Sequence, residues 1–509
     1  MRNYEPAATD NLGRDMTIVR LIRLRREKQK ARRCAAALVL GSIVTSITMI
    51  TSTSGDSRYL VAPLLMLACL VAVYTAVLWS RDGRLPVFEV GTLLVAATFV
   101  YSAVPLLGFI AMGHQWAPWV DNRLLAYPFD AYEIALFGWR DALYLGTFIG
   151  VYLLVRRSVS ARSAPLEPVP APLIAAIVIV VAVLYAYKIA IMVGYGIDFG
   201  TPYSSTAELV ARVAQMPLVL LQITVIVLAA FLVVKEALLL VMIRKWRSLK
   251  WRFILVAVLI VEVIAVAVRM GGRAEAVLLL LAFAALYDRF VRPVRLKWIT
   301  IGGVLLIAGF LIQGHLRGLF TLRELTISNA LTTSNEFQSL FTTSYDLYQR
   351  KHLGVLGPVP WQIYASDFYL LVPQQLLPFA KIDPAEWYLD VLGIRGKGVG
   401  FMFGVMSQAV LGLDWIELII RGAVLGVAFG ALHRWYVRHA SSFWATLFYL
   451  FVGIWSFYTF RATTFWFVHF IVYEFVPVMI VIKTVEYALR RGYLVELGGR
   501  GAVYPAATQ

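Results

Sequence analysis

Long apolar runs dominate the chain. They lie near 34–53, 59–79, 87–112, 134–155, 172–194, 215–234, 252–269, 275–289, 298–313, 416–433, 442–460 and 464–484. Runs of about 20 residues match a helix that crosses a hydrocarbon core. A membrane barrel would show shorter segments alternating with period two. The pattern therefore predicts an all-α, polytopic integral membrane protein with about 12 transmembrane helices. One connection stands apart, between spans 9 and 10. It covers 314–413, far too long for a simple turn. Apolar and aromatic stretches such as Phe368 to Val372 run through it, broken by Pro358, Pro360, Pro373, Pro378 and Pro384. This connection is expected to fold as a large outer-face cap of short helices, with 398–413 dipping into the bilayer as a re-entrant half-span. The organisation is then a basic tail at 1–33, spans 1–9 within 34–313, the outer loop at 314–413, spans 10–12 within 414–485, and a tail at 486–509.

Composition supports this picture. Of 509 residues, 60% are hydrophobic and 15% charged, whereas soluble chains carry about 25% charged residues. The net charge of +17 comes from basic residues that border apolar runs. That placement suits anionic membrane lipid on the cytoplasmic face and not nucleic acid. The two cysteines, Cys34 and Cys69, both fall in predicted spans, which leaves no disulfide framework and no paired-cysteine metal motif. The basic stretch from Arg20 to Arg33 is long for a signal peptide, so the run after it reads as an uncleaved first span.

Charge also sets the orientation. Most of the 47 lysines and arginines fall in the N-terminal tail, in alternate connections and in the C-terminal tail. With twelve spans these share one face, which is the cytoplasmic face by the positive-inside bias, and both termini lie there. Arg269, Arg273, Arg317, Arg323, Arg395 and Arg461 then fall on the outer side, where positive charge is depleted. An anionic substrate group such as a diphosphate accounts for them, because arginine holds phosphate oxygens in bidentate fashion.

The densest cluster is Arg269-Met270-Gly271-Gly272-Arg273-Ala274-Glu275, a turn joining the seventh and eighth spans. Paired glycines let backbone approach a ligand closely. The competing reading is an ordinary turn whose arginines reach lipid headgroups. His315 and Arg317 follow the ninth span and are candidates for the same anionic group, as is Arg461 in the turn between the last two spans. Glu336 in the outer loop is the candidate general base for an acceptor hydroxyl; Asp346, Asp367 and Glu386 compete for that role. Trp361, Tyr364 and Trp387 are candidates to stack on sugar rings, with filling of the cap's own core as the commoner role. Within spans, Arg140 with Asp141 and Lys188 with Glu262 read as bundle-holding pairs. The histidines show no metal-ligand spacing, and no phosphate-binding loop is present. The chemistry is expected to need no metal and no cofactor.

The order of these motifs resembles that of the Wzy-type oligosaccharide repeat-unit polymerases, which make O-antigen and exopolysaccharide. The resemblance covers roughly 255–480. It rests on the turn Arg269 to Glu275, a large outer loop opening with basic residues and Glu336, the stretch Gly398-Val399-Gly400-Phe401 leading to Gly412, and Arg461 at the start of the closing span. Gln408 departs from the expected pattern, which has an acidic residue there. The resemblance implies a glycosyltransferase of the bacterial inner membrane. Such an enzyme moves a growing glycan from undecaprenyl diphosphate to a new lipid-linked repeat unit. A flippase and a chain-length regulator are the partners it implies. An O-antigen ligase has a similar layout. Transferases using a polyprenyl-monophosphate donor resemble one another in an acidic pair in the first outer loop, which here holds only Asp56. A twelve-span transporter would place its long connection centrally and inside.

Overall fold

The computed structural model describes residues 57–83, 85–116, 130–156, 167–194, 217–269, 273–294, 336–393 and 402–492, with a few positions among 29–44 and 297–302. All regular structure among them is helical. Seven of these helices are long and apolar enough to cross a membrane: Arg58–Asp82, Val90–Met112, Ala131–Val155, Ala171–Ile191, Trp415–Arg438, Phe443–Arg461 and Thr464–Arg490. The chain is a polytopic helical membrane protein. Apart from the first and ninth apolar runs, which lie mostly outside the described residues, each run falls on a helix. The sequence ends the sixth span near 234 and puts Lys235 in a connection. The helix instead continues to Arg244, because Ala237 to Ile243 form two further apolar turns.

The chain divides into two compact units. The first contains α1 (Ser57–Asp82), α2 (Val90–Met112) and α3 (Ala131–Val155). The second holds α4 (Ala171–Gly194), α5 (Leu218–Arg244), α6 (Leu249–Arg269) and α7 (Arg273–Phe290). The long connection contributes α8 (Glu336–His352) to the first unit and α9 (Pro384–Val391) to the second. Then α10 (Val405–Leu411) and α11 (Trp415–Arg438) complete the first, while α12 (Phe443–Trp455), α13 (Thr464–His469) and α14 (Val476–Arg490) complete the second.

In the first unit, α11 lies against α3 along a stripe of glycines. A Cβ on Gly422 would stand 2.8 Å from the carbonyl of Tyr144, and one on Gly426 3.0 Å from that of Phe148. Gly430 continues the stripe against Val155. Four-residue spacing puts all three on one helix face, the small-residue arrangement that lets membrane helices approach closely. Where these helices end, Arg156 joins two carboxylates. Its guanidinium donates to Asp82 at 2.5 Å and to Glu89 Oε2 at 2.7 Å, and Tyr152 donates to Glu89 as well. His433 Nε2 stands 3.8 Å from Glu89.

A second polar cluster fixes the turn between α10 and α11. Arg140 Nε and Nη2 donate to the two oxygens of Asp414 at 2.6 and 2.8 Å. The guanidinium lies 4.7 to 5.1 Å from the rings of Trp415, Tyr348 and Phe137. Arg140 therefore pairs with Asp414 across the fold and not with its neighbour Asp141, because consecutive helical residues point to different faces. Lys351 at the end of α8 donates to the carbonyls of Val410 and Leu411 at 2.7 and 3.0 Å, capping α10. All seven residues of α10 are buried in protein. A Ser344–Ser407 hydrogen bond of 2.9 Å ties α10 to α8. On α8, burial pushes the Tyr345 hydroxyl above its ordinary value, and the Glu133 carboxylate that accepts its hydrogen bond at 2.8 Å adds to this.

In the second unit the last span is interrupted by one π-helical stretch, Phe470–Phe475. Pro477 supplies a cause. Its ring crowds the carbonyl four residues back and it has no N–H to give, so the preceding turn widens.

Candidate functional site

Among the described residues of the second unit, two groups of cations stand at helix ends. At one end, Arg289 Nη2 donates to the carbonyl of Ala440 at 2.8 Å. Arg244 lies 5.8 and 5.6 Å from the rings of Phe290 and Phe443, and its Nη1 donates to the carbonyl of Glu167 at 3.0 Å. This basic end gathers the last turns of α5 and α7 and the start of α12. Helices of 18 to 27 residues then carry their other termini across roughly 27 to 40 Å at 1.5 Å per residue. The far end receives Arg269, the last residue of α6, and Arg273, the first of α7. It also receives Arg461, beyond α12, in the one-turn helix Tyr458–Arg461. Three of the arginines selected from sequence thus share one end of one unit. Side chains of Arg269 and Arg273 lie outside the described set, as do the three residues between them.

Arg461 stands on an aromatic platform. Its guanidinium donates to the Tyr458 hydroxyl at 2.8 Å and lies 4.9 Å from that ring's centroid. Tyr458 packs on Trp455 at 5.0 Å and on Phe470 at 4.7 Å. The cation is thereby oriented by a ring face and a hydroxyl.

A loop from the long connection docks beside this platform. Asp367 accepts from the backbone N–H of Phe465 at 2.8 Å, in the first turn of α13, where free N–H groups and the helix dipole favour an anion. Tyr473 donates to the carbonyl of Leu371 at 2.6 Å, and Tyr369 to that of Ile382 at 2.7 Å. Lys381 donates to the carbonyl of Leu370 at 2.8 Å. Burial holds its ammonium below the usual lysine range. Its charge reaches His469, whose ring lies among Phe465, Trp466 and Tyr473 at 4.7 to 5.5 Å. Arg461 on its aromatic platform and Lys381 on the docked loop give this end two cations, a setting for a phosphate-type anion attached to an apolar or sugar body.

Sequence reasoning missed Lys381. The signal was there: a lysine between Pro378 and Pro384 in the long connection. The remaining candidates are distributed as follows. Glu336 opens α8 in the first unit, with its side chain outside the described set, and His315 and Arg317 lie outside the described residues. Trp361 and Tyr364 are exposed on a one-turn helix of the first unit, where burial and the Glu417 carboxylate raise the Tyr364 hydroxyl. Trp387 is half-buried on α9 in the second unit. Of the competing carboxylates, Asp346 pairs with Arg350 at 2.7 Å and is buried, and Asp367 holds a backbone amide. Glu386 is exposed in the first turn of α9. No protein-family model, curated protein or solved structure matches the chain.

Proposed function

We propose that the chain is a polysaccharide polymerase of the bacterial inner membrane. It transfers a growing glycan from undecaprenyl diphosphate to a lipid-linked repeat unit on the outer face. In this reading the twelve-span arrangement holds, the basic end faces the cytoplasm, and the long connection forms the outer cap. The observation that carries the proposal is the gathering of Arg269, Arg273 and Arg461, with Lys381, at the end of the second unit opposite Arg244 and Arg289. The acceptor oxygen bonds to the anomeric carbon as the bond from that carbon to the diphosphate oxygen breaks. Negative charge grows on the leaving diphosphate, and preplaced cations lower the barrier because they need no reorganisation. The acceptor proton passes to a base, for which Glu336 is the candidate by residue type and by its place in the motif order. Trp361, Tyr364 and Trp387 supply ring faces for sugars.

The test is to incubate the purified full chain with lipid-linked repeat units. Extension to polymer of two or more units supports the reading. Transfer only to a different acceptor reassigns the chain as a ligase, and absence of any transfer from active preparations overturns the enzyme assignment.

A further inference from the structure

Inside the second unit two carboxylic acids have no cation paired with them among the described residues. Glu236 on α5 has no solvent exposure, and neither of its oxygens has a hydrogen-bond partner. Glu474 on the π-helical stretch is also buried. The two elements pack against each other, and Glu474 is within electrostatic reach of Glu236. Each lies at least two helical turns inside the ends of its span.

Among the described residues, no cation acts on either carboxyl. Lys188 of α4 and Lys235 of α5 lie over Phe231. Arg244 and Arg289 belong to the basic end, and Tyr449 of α12 acts on Arg289. His469 packs on Phe465 and Tyr473, Tyr473 donates to the carbonyl of Leu371, and Lys483 of α14 lies over Trp444. The side chains of Glu262 and Glu275 on α6 and α7 lie outside the described set.

Two ionised carboxylates in a low-dielectric interior repel each other and lack the water that would solvate them. A buried acid with both oxygens unpartnered needs a cationic ligand, and the smallest one is a proton. A π-helical turn at Glu474 fits this use, since such turns occur frequently at functional sites. Intramembrane ionisable residues facing a bundle interior commonly serve as proton or ion sites.

We propose that Glu236 and Glu474 form an intramembrane proton-binding site, a proton being held on either carboxyl and exchangeable with the aqueous phase. This site is independent of the polymerase reading and lies on different residues from the cationic end.

The test uses the purified full chain and N,N′-dicyclohexylcarbodiimide, which modifies protonated carboxyls in apolar surroundings. Peptide mass spectrometry is expected to find one label per chain, on Glu236 or Glu474. The rate should fall about tenfold per pH unit above the titration of the pair. In Glu236→Gln the label should move wholly to Glu474, and in Glu474→Gln wholly to Glu236. No labelling of either residue, or a rate independent of pH between 5 and 9, would overturn the proposal. Protection by sodium at constant pH, absent with potassium, would overturn it in favour of a sodium site. Labelling of the unmodified chain decides the matter even if a variant does not fold.

Discussion

Asp414→Asn tests what holds the turn between α10 and α11. Asp414 has φ of 52°, a left-handed conformation that asparagine also tolerates, so the substitution removes charge while sparing the backbone. Arg140 stays behind with its side chain only 3% exposed. Two unit charges about 4 Å apart interact by about 4 kcal/mol at an effective dielectric near 20. The Asp414 side chain is 33% exposed, so water screens part of this, leaving a loss of about 2–3 kcal/mol. Arg140→Met removes the stranded charge, and the double variant Arg140→Met/Asp414→Asn should therefore recover part of that loss. The assay is thermal unfolding of purified protein in detergent, where Asp414→Asn should unfold several degrees lower. An unchanged midpoint for Asp414→Asn would refute the argument. So would a double-variant loss equal to the sum of the two singles, because the pair would then be uncoupled.

Arg461→Ala is expected to leave single lipid-linked units accumulating at normal expression, and Arg461→Lys to rescue only partly, since lysine cannot form a bidentate pair; long polymer in cells carrying Arg461→Ala would end its assignment to the diphosphate. Glu336→Gln should lower the transfer rate by about 10²–10⁴-fold with little change in substrate affinity, and an unchanged rate removes it as the base. Tyr345→Phe should cost about 1–2 kcal/mol through the lost bond to Glu133. Its hydroxyl is raised on folding, so its contribution is complete below pH of about 10 and fades as the pH climbs further. Unfolding midpoints across alkaline pH should accordingly show a shallower decline in Tyr345→Phe. Gly426→Leu should reduce folded yield more than Val424→Leu, because position 426 meets α3 backbone while Val424 is exposed on the apolar surface; equal yields would remove the close seam.

Hydropathy made the seven membrane-length helices legible because each carries a long local signal. The helix ends at Arg269 and Arg273 were legible for the same reason: polar residues between two apolar runs end both helices. Partners across the fold were hidden. Arg140 lies next to Asp141 in sequence, yet its partner is 274 residues away, and no local pattern carries that pairing. Arg156 reads as one more inner-face cation, whereas the structure buries it between Asp82 and Glu89. Glu236 escaped notice because Lys235 beside it looks like the end of a span. The apolar residues resuming at Ala237 were the contrary signal.

The π-helical stretch at Phe470–Phe475 changes how the last span would respond to a lost residue. Deleting one residue from an ordinary transmembrane helix turns everything beyond it by about 100°, since 3.6 residues make a turn, and so aims its side chains at the wrong neighbours. Here the widened turn already holds a residue more than an α-helical turn needs. Removing Ile471 would let the stretch close to α-helical pitch while α13 and α14 keep their present facing. The last span thus contains one place where the chain can shorten without scrambling its packing, and the same deletion at Leu425 in α11 should prevent folding altogether.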